Sequence, residues 1–196
     1  VTVEYIVRHN IYKNDFALEA VCDGEFLAAA FVWTGSEKND ADEWFCKKLG
    51  ALNCSKEELY WAEMSKTYIA KMDAGTRALM EKDGVQMTLF ASMKSGAGTP
   101  LLNELCNRLK QAGRSALYLW TDQDCSWQYY PRHGFETLRE GVFEPFSESA
   151  ENPYRTFIYK RELRKFKRTD HAKSLHDVRK DLQRKKHDDY VARSQK

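Results

Sequence analysis

The residues best able to do chemistry gather around one glycine turn. Val85 to Ser92 reads Val-Gln-Met-Thr-Leu-Phe-Ala-Ser, an apolar run of strand length. Gly96-Ala97-Gly98 follows. Leu101, Leu102, Leu105, Cys106 and Leu109 then recur at helical spacing, with Pro100 suited to the first turn and Gly113 to the end. Glycines let a backbone approach a ligand closely. A helix N-terminus turns free amides and the positive end of its dipole toward that ligand. A diphosphate is the natural guest. The chain has no GxxxxGK(S/T) loop and no protein-kinase signature, and a dinucleotide fingerprint would need glycine where Leu101 stands.

A second group lies downstream, in Tyr118-Leu119-Trp120-Thr121-Asp122-Gln123-Asp124-Cys125-Ser126-Trp127-Gln128-Tyr129-Tyr130-Pro131-Arg132-His133-Gly134-Phe135. It ends in Tyr-x-x-x-Gly-Phe and so resembles the matching region of the GCN5-related N-acetyltransferases, the GNAT superfamily. The spacing from Gly96 to Tyr130 is similar to that family's. Met93 to Leu102 is similar to its acetyl-CoA loop, Arg/Gln-x-x-Gly-x-Gly/Ala before a leucine pair. The resemblance covers roughly Val85 to Leu138. It departs at Met93, where the family has Arg or Gln, at the missing proline before it, and at Gln123, where many members have Asn. Lys94 is the candidate to supply the missing charge.

The resemblance implies an acetyl-CoA-dependent N-acetyltransferase, with acetyl-CoA as co-substrate. It implies cofactor contacts from Phe90, Ala91, Ser92, Lys94, Ser95, Gly96, Ala97, Gly98, Thr99, Gln123 and Ser126, and no metal. A small-molecule or peptide amine attacks the thioester directly. A strand-end amide near Phe90 to Ser92 stabilises the oxyanion, and Tyr130 is the general acid for the leaving thiolate. A phenol near pKa 10 faces a thiol near 8.5, so that transfer is not badly mismatched. A CoA or acyl-CoA sensor without turnover is the alternative.

Glu25, Glu63 and Asp122 could each act as base, and nothing in the sequence ranks them. His133, just before Gly134, is expected to bond helix-end carbonyls. Cys125 is expected to be a small buried thiol, since direct transfer needs no covalent intermediate.

These groups need a scaffold. Phe16 to Cys22 and Glu25 to Trp33 flank Asp23-Gly24 and predict a hairpin whose second strand is central. Thr34 to Gly84 reads as helical and as this protein's own insertion. Ser55-Lys56-Glu57-Glu58 is a capping box, Leu59, Ala62, Ile69 and Met72 follow one face, and a second helix is predicted around Thr76 to Lys82. Ser115 to Trp120 predicts a strand, Asp124 to His133 a short helix, and Val142 to Phe146 and Thr156 to Tyr159 two last strands. The pattern predicts an α/β domain. The resemblance refines it to a mixed, mostly antiparallel central sheet flanked by helices. Its first strand and helices are hard to fit into the fifteen residues before the hairpin.

Composition sets the outer limits. The 196 residues are 42% hydrophobic and 13% aromatic, enough for a real core. No apolar run approaches the roughly 18 residues that a bilayer demands, and Val1-Thr2-Val3-Glu4 has neither part of a signal peptide. Five cysteines without CxxC spacing argue against disulfides and a zinc ribbon and predict a reduced, cytoplasmic protein. From Lys160 onward 14 Lys/Arg face 6 Asp/Glu, a net +8, against −6 for the remainder. The expected organisation is a catalytic domain over 1–163, with the helical insertion at 34–84, and a basic helical tail over 164–196. Leu175, Val178 and Leu182 would let the tail lie on the body or on a second copy, as in a homodimer. The lack of a nucleic-acid-binding signature argues against nucleic acid as partner.

Overall fold

A computed structural model describes residues 1–163. The basic tail lies outside the described residues, and so do the expectations placed on it. Among the described residues, no helix is long and apolar enough to cross a membrane. Among the described residues, no group of His, Cys, Asp and Glu is arranged to hold a metal ion.

The elements run α1 (Thr2–Asn10), β1 (Leu18–Cys22), β2 (Glu25–Trp33), α2 (Ala41–Gly50), α3 (Lys56–Arg77), β3 (Val85–Ser92), α4 (Gly98–Gln111), β4 (Ala116–Asp122), α5 (Tyr129–Arg132), β5 (Glu136–Val142) and β6 (Arg155–Glu162). The strands form one sheet in the order β1-β2-β3-β4-β6-β5. Only β3 and β4 run parallel, so the sheet is mixed and mostly antiparallel, as expected. The hairpin turns at Asp23-Gly24, both with positive φ.

Two cores flank the sheet. On one face Leu101, Leu102, Leu105 and Leu109 of α4 meet Leu117 and Leu119 of β4 and Phe157 and Tyr159 of β6. On the other, α1, α2 and α3 bury Tyr5, Phe45, Tyr68, Ile69 and Met72 against Trp120 and Ile158. The two-residue period of a strand sorts neighbours such as Leu119 and Trp120 to opposite cores. With both faces covered, β4 shows no polar alternation until its end.

α3 starts at the expected capping box: the Ser55 hydroxyl accepts from the Glu58 amide, and the Glu58 carboxylate accepts from the Ser55 amide. Ala62, Ile69 and Met72 face the core, whereas Leu59, one turn in, is 37% exposed.

Four expectations need correction. The second helix over Thr76 to Lys82 does not form. α3 runs unbroken through Arg77, the Thr76 hydroxyl donates to the Met72 carbonyl inside it, and residues 78–84 make turns. The strand over Val142 to Phe146 is instead the end of β5 followed by a 3-10 turn, Glu144–Phe146. Pro145 has no amide for a ladder, and Phe143 and Phe146 turn into the second core. β5 itself, Glu-Thr-Leu-Arg-Glu-Gly-Val, is a polar edge strand without the apolar signal of an interior one. The helix over Asp124 to His133 shrinks to one turn at Tyr129–Arg132. The first fifteen residues hold α1, which the sequence reading left without an element. Its Tyr5 is buried against Phe45 and donates a hydrogen bond to Asp42 at 2.8 Å.

Leu105 is fully buried between α4 and the sheet, and Val3 is 76% exposed. Leu105→Ala should lower stability by about 2–5 kcal/mol, whereas Val3→Ala should stay within about 0.5 kcal/mol. Urea unfolding followed by circular dichroism checks both.

Candidate functional site

The site begins as a break in the sheet. β3 pairs with β4 at only two positions, Val85 opposite Leu117 and Gln86 opposite Tyr118. Beyond them the strands run on without pairing, and every second peptide group of Met87 to Ser92 on that side faces a gap. A bulge assists the divergence. Phe31 of β2 faces Leu89 while Val32 faces Met87, which leaves Thr88 as the extra residue. The Thr88 hydroxyl donates to the Asn10 carbonyl at the end of α1, at 2.6 Å.

A cavity of about 840 Å³ opens between the parted strands, inside the size range of small-molecule sites. It has two ends of different chemistry. One is the glycine turn, where Lys94, Ser95, Gly96, Gly98 and Thr99 line the wall. Gly96 has φ +87°, and a Cβ there would meet nothing within 4 Å. A Cβ on Gly98 would press on Phe90 at 3.2 Å, so the first glycine serves the turn and the second serves packing. The first-turn amides of α4 have no intrahelical acceptor, and that turn contains no acidic residue. Room at Gly96, open amides and a positive dipole fit a diphosphate group.

The side chains at this end are partly engaged. Lys94 pairs with Glu25 at 2.7 Å. The Thr99 hydroxyl bonds His133 Nε2 at 3.0 Å and the Tyr129 hydroxyl at 3.2 Å. The His133 ring stacks on Tyr129, and its Nδ1 meets the Tyr129 carbonyl at 2.7 Å. His133 is thus a brace at a helix end, as expected, that also ties α5 to the start of α4.

Tyr130 lines the same cavity. Its ring rests edge-on against Tyr129 and Phe135 and tilted on Tyr159. Burial, with Cys125 and the two neighbouring tyrosines behind it, pushes its pKa well above that of an ordinary phenol. Tyr130 therefore stays protonated and is a weaker acid than free tyrosine, which widens the gap to a thiol beyond the sequence expectation.

At the far end stand Asn10, Tyr68, Trp120, Asp122, Phe146 and Tyr154. The Tyr68 hydroxyl donates to Asp122 at 2.9 Å, and Tyr154 donates to Asp124 at 3.0 Å. Trp120 is held from behind: its indole N–H donates to buried Asp73 at 2.7 Å. Asp73 also meets His9 at 2.9 Å, Arg77 at 3.2 Å and the Gln86 amide at 2.6 Å. Desolvation pushes the Asp73 pKa up. Hydrogen bonds from His9, Trp120 and Gln86 and the Arg77 charge outweigh it and leave a net shift downward.

Nine of the twelve residues expected at the site line one cavity: Tyr130, Phe90, Ser92, Lys94, Ser95, Gly96, Gly98, Thr99 and Ser126. Ala91, Ala97 and Gln123 are not among its lining. Ala97 is buried in the core under α4. Gln123 extends the sheet edge: its amide donates to the Arg155 carbonyl, and its side-chain carbonyl accepts from the Arg155 amide at 3.0 Å. Cys125 corrects another expectation. It is exposed, on the cavity wall, instead of being a small buried thiol. Of the three possible bases, Asp122 lines the cavity, Glu25 is paired with Lys94, and Glu63 is not in the lining.

Sequence reasoning missed Asn10, Tyr68, Phe146 and Tyr154. Tyr68 and Asp122 are 54 positions apart, and no local spacing links them. The period-two pattern of β4 was the one available signal, since it puts Asp122 on the same face as Trp120.

No protein-family model matches the chain, and no curated protein matches it. Solved structures do. The arylalkylamine N-acetyltransferase 2 from Aedes aegypti superposes with a TM-score of 0.51 at 10% identity, over 82% of this chain and 78% of that one. An agmatine N-acetyltransferase gives 0.49 at 10% identity, over 75% and 74%. A ribosomal-protein-alanine N-acetyltransferase from Brucella melitensis gives 0.42 at 10% identity, over 74% and 67%.

A carboxylate whose folded pKa is depressed stabilises the fold above its unfolded pKa, near 3.9, and loses that contribution as pH falls through the folded value. Asp73→Asn should therefore cost about 1–3 kcal/mol at neutral pH. The gap to wild type should shrink below about pH 4. Urea midpoints measured from neutral pH to pH 3 check this, and a constant gap would mean that the charge of Asp73 contributes nothing.

Proposed function

We propose that this chain, which has the GNAT fold, is an N-acetyltransferase that moves an acetyl group from acetyl-CoA to a primary amine. The observation that carries the reading is the cavity between parted β3 and β4, lined both by a glycine-turn helix start and by Tyr130. A diphosphate fits the turn at Gly96 and the first amides of α4, those of Gly98 and Thr99, while the Ala97 amide is held by the Lys94 carbonyl. The pantetheine arm can run along the unpaired edge of β3 and satisfy peptide groups that a neighbouring strand would otherwise pair. Through Tyr68 of α3, the segment 34–84 supplies part of the acceptor wall.

The chemistry balances without a covalent enzyme intermediate. The amine nitrogen bonds to the thioester carbonyl carbon, and charge develops on its oxygen. An amide of Phe90 to Ser92, fixed by pairing with β2, opposes that charge. The C–S bond then breaks, and the proton shed by the new amide nitrogen passes through water to Tyr130 as Tyr130 gives its own to the thiolate, so that amide and free CoA thiol leave and the phenol is restored. Tyr130 serves this step. Because its pKa is raised, it acts as a hydrogen-bond donor to the growing thiolate before it acts as a proton donor. Cys125 has no role as nucleophile: desolvation of the thiol against the cavity wall and the adjacent Asp122 push its pKa up, so it remains a thiol.

Two measurements test the reading. Gly96→Asp and Gly96→Asn share shape and the same positive φ, so they differ mainly in charge beside the diphosphate. CoA should bind the Asp variant at least about tenfold more weakly than the Asn variant, because the added carboxylate repels the diphosphate. Equal affinity by calorimetry removes the diphosphate assignment. Tyr130→Phe should lower kcat by about 10²–10³-fold with little change in CoA affinity, since the lost interaction belongs to the transition state. Thiol release with an accepted amine reads this. CoA binding with no thiol release from any amine would turn the reading into the sensor.

A further inference from the structure

The far end of the cavity carries a charge that no cation among the described residues meets. Asp122 is 8% exposed. Its carboxylate accepts from the Tyr68 hydroxyl at 2.9 Å and from the Asp124 amide at 3.2 Å, and the Tyr154 hydroxyl and the Cys125 thiol also bond to it. All of these donors are neutral. Among the described residues, no Lys, Arg or His side chain pairs with it. Burial and the Asp122 charge hold the Tyr68 phenol protonated, so it stays a donor and brings no cation. A carboxylate removed from water is costly unless a positive group meets it.

A second observation points the same way. Asn10 lines this cavity and is 4% exposed. Its side-chain Nδ2 donates to the Ile6 carbonyl at 2.9 Å, which fixes the amide orientation. Its Oδ1, also buried, has no hydrogen-bond partner among the described residues. An acceptor buried without a donor destabilises the fold until one arrives. Asp122 lacks a cation and Asn10 Oδ1 lacks a donor, and the N–H groups of an ammonium ion supply both.

The walls around them are aromatic. Trp120, Phe146 and Tyr154 line this end beside Tyr68. Phe146 and Tyr154 meet edge-on, with ring centroids 5.4 Å apart, and Tyr68 crosses Trp120 edge-on at 5.5 Å. Such faces attract both flat rings and ammonium groups.

From this we infer that the acceptor is an amine that enters as an ammonium ion, paired with Asp122 and carried on an aromatic group seated among Tyr68, Trp120, Phe146 and Tyr154. The inference rests on the acetyltransferase reading for its reaction, but not for its binding chemistry. The cavity is then bipolar. Helix amides take the anionic co-substrate at one end, and the carboxylate takes the cationic acceptor at the other. Asp122 holds and orients the ammonium, which gives its extra proton to solvent water before the neutral nitrogen attacks.

The test uses the full chain, free and saturated with CoA, with phenethylamine and its neutral match phenethyl alcohol as probes in calorimetry. Wild type should bind the amine at least about tenfold more tightly than the alcohol, an ion-pair-sized preference. Asp122→Asn should erase that preference and leave alcohol binding unchanged. Phe146→Ala should weaken both probes several-fold and keep the preference. Equal binding of amine and alcohol to wild type overturns the inference without recourse to any variant. A preference that survives Asp122→Asn overturns the role of Asp122, and indifference to Phe146→Ala overturns the aromatic seat. If free protein prefers the amine but CoA does not bind, the acetyl-CoA reading fails and this one stands. If CoA binds and the amine is not preferred, the reverse holds.

Discussion

Two parallel residue pairs, Val85 with Leu117 and Gln86 with Tyr118, hold the middle of the sheet together, and everything functional depends on their being so few. A fully zipped β3–β4 pair would satisfy its peptide groups and close the sheet. Parting early leaves strand edges without partners inside a covered fold, which is costly unless something polar fills the gap. The cost is met by packing elsewhere. α4 buries four leucines on one face, and α1, α2 and α3 clamp the other. The Thr88 bulge bends β3, and its hydroxyl ties the bend to the end of α1.

The same divergence explains why the cavity has opposed ends. β3 leads into the glycine turn and the N-terminus of α4, where amides and dipole favour an anion. β4 leads to Asp122, on the face that α3 covers through Tyr68. One parallel pair therefore sends its two strand ends to sites of opposite electrostatic character. The Asp73 network sits behind both. It grips Gln86 at the point where the strands part and Trp120 on the acceptor wall, with 2.6 and 2.7 Å bonds to the same oxygen. Its burial makes those bonds stiff, because an unpaired partner there would have no water to turn to.

Tyr130 shows how a fold can alter the chemistry that a residue type suggests. A phenol in water lies within reach of a thiol's acidity. Here Tyr129, Phe135 and Tyr159 surround the ring, and burial raises its pKa. The hydroxyl is kept as a donor at the expense of acidity. Catalysis then depends on where the donor points more than on how readily it ionises.

Local sequence determined a good deal. Gly24, Gly96, Gly113 and Gly134 all take positive φ, and each marks a turn legible from glycine alone. The leucine stripe of α4 and the capping box of α3 are periodic or short-range signals, and both form as read. The glycine turn and the Tyr130-to-Phe135 register sufficed to bring nine residues to one cavity. What failed was governed by contacts far along the chain. β5 is polar because it lies at an edge, and its strand state comes from β6, not from its own residues. Gln123 has the right amide, but the Arg155 backbone occupies it. Cys125 is small and apolar enough for a core, yet the one-turn α5 leaves it on the cavity wall. Tyr68, Asn10 and Tyr154 become one wall with Asp122 only when α3, α1 and the start of β6 are laid against β4. Period and turn chemistry act over a few residues and can be read in order. A binding wall assembled from four distant segments exists only after the cores have decided which faces meet.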